Sequence, residues 1–175
     1  STRRSHNPVG WIFLSIGVLF ALVGLTTALI MVGPIGSNMH TWAIWFGSWL
    51  WIPAVLIPIA FVPLYYPNGK LSSSKQHFFA WITGFGITLI ILVVMLHPGP
   101  LVSMGLEPNP FGVPEAVSLL DSMFTLSTVF LAIGVIGSLV TFILRFRHSV
   151  SIEREQMKWL VYAIGLQIFM IVLSS

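Results

Sequence analysis

Cysteine is absent from the chain, which removes disulfides, thiolate metal sites and cysteine nucleophiles from consideration. Charge is scarce as well. Only 7% of the 175 residues are Asp, Glu, Lys or Arg, against about 25% in a soluble domain, so the chain cannot clothe a water-facing surface. No Gly-rich phosphate loop, zinc-protease signature or Gly-x-Ser-x-Gly elbow occurs, and these are the usual carriers of phosphate, metal and acyl chemistry. No lysine lies deep in an apolar run, so a Schiff-base chromophore has no anchor. The apolar runs hold almost no ionisable residue, whereas pumps and ion transporters keep such groups near mid-membrane. No catalytic, metal or cofactor-binding residue is therefore expected in this segment.

What remains is apolar: 56% of residues are hydrophobic and the mean hydropathy is +0.94. The class expected is an all-α polytopic membrane bundle forming a single domain over 1–175. About 20 apolar residues cross a hydrocarbon core roughly 30 Å thick, and five runs reach or approach that length: about 9–32, 41–66, 77–96, 117–146 and 159–175. Pro8 suits the first turn of the first span, with Asn7 before it as an N-cap. Gly10, Gly17 and Gly24 recur every seven residues there, with Ala21 and Ala28 extending the stripe. Such a stripe lets membrane helices approach closely. Ala132, Gly134, Gly137 and Ser138 predict another close contact in the fourth span.

The second span carries most of the information. Trp42, Trp45, Trp49 and Trp51 crowd one end, and Tyr65 and Tyr66 mark the other, as interfacial aromatic belts do. Pro53, Pro58 and Pro63 each remove a backbone donor and press on the carbonyl one turn back. A kinked helix is expected, either lining a pocket or merely packing. Pro67, Asn68, Gly69 and Lys70 then form a turn, Asn-Gly supplying the positive φ that turns need. The connection from His97 to Val117 holds five prolines, no Lys or Arg, and the acids Glu107 and Glu115.

Lys and Arg set orientation. Arg3 and Arg4 precede the first span, and Lys70 and Lys75 follow the second. Arg145, Arg147, Arg154 and Lys158 follow the fourth, forming a basic loop. Alternating spans put all eight on one side, which is the cytoplasmic one, with the N-terminus inside. The net charge of +3 is too small and scattered for nucleic acid. The partners expected are the bilayer and other membrane helices or subunits. His40 and His97 lie near the outer interface, but each reads as an interfacial histidine rather than a haem ligand on facing helices. Asp121 reads as an acid in the first turn of its helix, favoured by the helix dipole. His6, His77 and His148 lack the paired spacing of a zinc site.

Four stretches together resemble one pattern: NPVGW at Asn7–Trp11, WLWIP at Trp49–Pro53, YPNGKLSS at Tyr66–Ser73, and RFRHSVSIEREQMKW at Arg145–Trp159. HPGPL at His97–Leu101 and NPFGVP at Asn109–Pro114 join them. Their order is similar to that in the multi-span N-terminal membrane region of bacterial sensor histidine kinases that work with helix-turn-helix response regulators. Asn68 stands where the family usually has Asp, Lys70 where it has Arg, Ser72 where it has Pro and Ser151 where Gly is common. The resemblance implies a sensory, signal-transducing module in the bacterial inner membrane. The phosphoacceptor helix and ATP-binding domain of such kinases would lie beyond Ser175, so the sequence is expected to be part of a longer chain. The alternative is a non-catalytic accessory subunit of a respiratory or photosynthetic complex. A small transporter is a third reading, resting only on the prolines.

Overall fold

A computed structural model describes residues 8–66, 69–71, 73–99 and 108–148, together with 158 and 162. The architecture is four long helices: α1 (Pro8–Val32), α2 (Asn38–Tyr65), α3 (Ser74–Leu96) and α4 (Val117–His148). A single 3-10 turn, Pro114–Ala116, leads into α4. All four are long and apolar enough to cross a membrane, which makes this a polytopic helical membrane protein. The fifth span expected at 159–175 lies outside the described residues apart from Tyr162, which is helical and exposed.

Side-chain caps set two of the helix starts. The Ser37 hydroxyl accepts from the His40 N–H at 3.2 Å, so α2 begins at Asn38, three residues before the apolar run. His40 is therefore inside the helix and buried, not in the interfacial turn before it. Likewise the Ser73 hydroxyl accepts from the Gln76 N–H at 3.3 Å and starts α3 at Ser74. Each cap satisfies one of the donors that a helix N-terminus leaves without an internal partner. α1 begins at Pro8, as the missing proline N–H favours.

Pro53, Pro58 and Pro63 all lie inside α2, which stays helical across them. Two of the three, Pro53 and Pro63, are buried, so the bundle surrounds the weakened ladder rather than leaving it to lipid. That is the setting in which membrane helices tolerate proline.

The tightest packing joins α3 to α4. A Cβ at Gly134 would run into Thr83, one at Gly137 into the Phe79 ring, and one at Gly86 would fall 3.1 Å from Leu131. Thr83 and Ser138 are fully buried, and each hydroxyl is satisfied within its own helix, donating to the Phe79 and Gly134 carbonyls at 2.7 Å. This is small-residue packing of the kind that lipid favours, because apolar bulk gains nothing there by leaving the bilayer. Of the stripe expected in α4, Gly134, Gly137 and Ser138 take part, while Ala132 is exposed.

The α1 stripe behaves otherwise. A Cβ added at Gly10, Gly17 or Gly24 would meet nothing within 4 Å, and Ala21 and Ala28 are exposed too. α1 turns a different face to α2: Thr26 is its one buried residue, and Ile30 packs on the cluster of Ile44 and Trp45. The close contact expected of this stripe is not made among the described residues.

Candidate functional site

Long-range polar and aromatic contacts gather at the two ends of the bundle, and at each end a helix C-terminus is the organising feature. The last carbonyls of a helix have no internal donor, so something else must reach them.

At the tryptophan end, the C-terminus of α3 is met by the segment Asn109–Val113. Asn109 is buried, and its side-chain amide nitrogen donates to the Met95 carbonyl at 3.0 Å and the His97 carbonyl at 2.8 Å. Its amide oxygen accepts from the Phe111 N–H at 3.0 Å. The Val113 N–H reaches the Leu96 carbonyl at 2.9 Å. Met95 receives a second donor, the Trp45 indole, at 3.3 Å. Three consecutive carbonyls are thus satisfied from outside the helix. The segment crosses the His-Pro-Gly stretch so closely that a Cβ on Gly112 would lie 2.5 Å from the Pro98 Cα; only glycine fits.

Phe111 carries this segment into the aromatic cluster of α2. Its ring centroid lies 5.1 Å from Trp42 and 4.8 Å from Trp45, and Trp45 meets Trp49 edge-on at 5.9 Å. Such spacings suit the aromatic quadrupole. The tryptophans are therefore more than a belt at the interface: they form the seat for the loop. The Trp49 indole N–H is shielded from solvent and has no hydrogen-bond partner among the described residues.

Beside this seat, His97 bridges α3 and α4. Its Nδ1 accepts from the Gly99 N–H at 3.2 Å, which puts the neutral ring's proton on Nε2, facing the Asp121 carboxylate at 3.3 Å. Asp121 is five residues into α4, because the helix starts at Val117 after the 3-10 turn. The acid expected in the first turn thus sits in the second and takes a side-chain partner. Both groups are well exposed. No group of three metal-binding side chains forms among the described residues.

At the opposite end, the C-terminus of α2 is met by one cation. Arg145, in the last turn of α4, donates from Nη1 to the Tyr66 carbonyl at 2.8 Å and more weakly to the Leu64 carbonyl at 3.4 Å. The Gly69 N–H closes on the Tyr65 carbonyl at 2.6 Å, with Gly69 at φ +68° as the turn requires. A charge-assisted donor at a helix C-terminus also meets the negative end of the helix dipole.

The residues singled out in the sequence divide accordingly. Gly69 and Arg145 come together at this end, where Lys70 and Arg147 are both exposed. Pro67, Asn68 and Arg154 lie outside the described residues, and Lys158 is described as helical and half-buried. Sequence reasoning missed Asn109 and the Arg145 cap. An Asn-Pro step just past a helix end is a turn signal, but the distance of 81 positions between Leu64 and Arg145 leaves no local trace.

No family model, curated protein or solved structure matches the chain. What the two ends can do therefore follows from their own geometry.

Proposed function

We propose that this chain is a membrane-embedded signal-transducing module, resembling the input region of a bacterial sensor histidine kinase, with its N-terminus and the Arg145 end on the cytoplasmic side of the inner membrane. The observation that carries the reading is the Arg145 junction. It ties the end of the proline-containing α2 to the last turn of α4, and α4 leads into the charged stretch RFRHSVSIEREQMK. A shift of α2 therefore acts directly on the helix that continues into that stretch. Two of the motifs that carry the resemblance, YPNGKLSS and RFRHSVSIEREQMKW, meet at this one contact. Lys70, Lys75, Arg145 and Arg147 lie at this end, which agrees with the charge rule for a cytoplasmic face.

The test uses the polypeptide as it occurs in its own membranes. Supplied with ATP, it takes up phosphate on histidine, and Arg145→Gln changes the rate. A full-length sequence without an ATP-binding domain contradicts the reading.

One observation favours the second reading, an accessory subunit. The Gly10, Gly17 and Gly24 face of α1 is open, and small faces in membranes serve helix–helix contact. Stable co-purification with a larger membrane complex would support it.

A further inference from the structure

A groove of about 450 Å³ opens between α2 and α3 at the Arg145 end, its lining drawn from Phe61 and Tyr65 of α2, Leu71 of the turn, and His77, Ala80, Trp81 and Gly84 of α3. Its volume lies in the range of small-molecule sites. Its α3 wall is built from positions 77, 80, 81 and 84, the i, i+3, i+4, i+7 pattern of a single helix face. Seven steps of about 1.5 Å from 77 to 84 make that wall roughly 10 Å long, running from the start of α3 towards mid-membrane.

The two ends of the groove differ chemically. The deep end is glycine and flat aromatic surface; Trp81 is 80% exposed, and a Cβ at Gly84 would touch only the Phe61 ring, at 3.8 Å. The shallow end carries the Tyr65 hydroxyl and the His77 imidazole. His77 Nδ1 lies 3.0 Å from the Ser73 carbonyl oxygen, which can only accept, so Nδ1 holds the proton. In the neutral ring Nε2 is then an acceptor, and the Tyr65 hydroxyl in the same lining can donate. Lys70 and Lys75 do not line the groove, so nothing there selects an anion.

We infer that this groove is a binding site for a neutral, membrane-dissolved amphiphile with an aromatic ring and a hydroxyl head: a phenol or hydroquinone carrying an apolar tail. The ring lies against Trp81 and Phe61, where flat faces and the gap at Gly84 admit it. The hydroxyl donates to His77 Nε2 and accepts from the Tyr65 hydroxyl. The tail leaves along the lipid-facing side. This site stands apart from the signalling role, since occupancy is measured directly.

The test is equilibrium binding of radiolabelled 4-decylphenol to the full chain in lipid nanodiscs, with empty nanodiscs subtracted. Saturable binding is expected, displaced by unlabelled 4-decylphenol and at least about tenfold less well by decylbenzene, which lacks the hydroxyl. A hydrogen bond contributes about 0.5–1.5 kcal/mol, and 1.4 kcal/mol is tenfold; His77→Ala and Tyr65→Phe should each weaken binding about three- to tenfold. Gly84→Leu, which fills the gap, should abolish it, and Gly84→Ala, whose Cβ has room, should keep the chain folded with reduced binding. Uptake no greater than in empty nanodiscs overturns the proposal. So does equal displacement by decylbenzene, which would mean simple partitioning, and so does unchanged binding in the His77 and Tyr65 variants.

Discussion

The C-termini of α2 and α3 face the same physical problem and meet it in opposite ways. α3 ends under a neutral cover: Asn109, the Val113 N–H and the Trp45 indole from α2 divide three carbonyls among them, and Phe111 packs against Trp42 and Trp45. α2 ends against one guanidinium from a distant helix and a tight glycine turn. The first arrangement has redundancy, so no single bond decides it. The second rests the side-chain capping of the α2 C-terminus on one residue. The tryptophan end spreads its cap over several donors, and the Arg145 end hangs it on a side chain from a distant helix.

The largest effect expected lies between the two ends. Gly134→Leu drives a side chain into Thr83 and should separate α3 from α4, costing about 3 kcal/mol, the upper part of the range for overpacking. Unfolding in mixed micelles measures this, and both ends should loosen together. Asn109→Ala attacks the tryptophan end alone. It removes both donors and the acceptor of a buried amide and should cost about 2 kcal/mol. Tryptophan emission should shift to the red, while thiol labelling of Lys70→Cys at the other end stays at the rate seen with Asn109 intact.

Arg145→Gln reverses the pattern, at about 1.5 kcal/mol for a charge-assisted bond. Here Lys70→Cys labelling should accelerate and tryptophan emission should not move. Arg145→Lys keeps the charge but loses the planar fork, and should fall between. If Arg145→Gln leaves labelling unchanged, the two ends are equivalent and the contrast fails. Asp121→Asn should have the smallest effect, below about 1 kcal/mol, because its pairing with His97 is well exposed and exposed pairs contribute little.

Much of the bundle was legible in the sequence because hydrocarbon imposes a length and a polarity on every span. The four described helices begin and end within a few residues of the apolar runs, and the shifts at Asn38 and Ser74 come from serine caps that apolarity does not register. Gly134 and Gly137 announced a close contact of α4, which is made with α3, since small residues in a membrane helix mark close approach. A Cβ on the α1 glycines would meet no described residue within 4 Å; a stripe says that a helix can be approached, not which helix approaches it. The tryptophans were legible as an interfacial girdle, but not as a seat for Phe111, because that contact depends on how a proline-rich loop folds back. Arg145 was legible as a topology signal, and its second task as a cap emerges only when α2 and α4 are brought together.

On the orientation proposed above, these two unlike ends face opposite sides of the membrane, the Arg145 end inward. A chain without cysteine allows a direct test with single cysteines at Glu115 and Lys70, both exposed, one at each end. Treated on intact cells with a membrane-impermeant thiol reagent, Glu115→Cys should be labelled at once, and Lys70→Cys only after the membrane is opened. The reverse order, or labelling of both from the same side, would contradict the account.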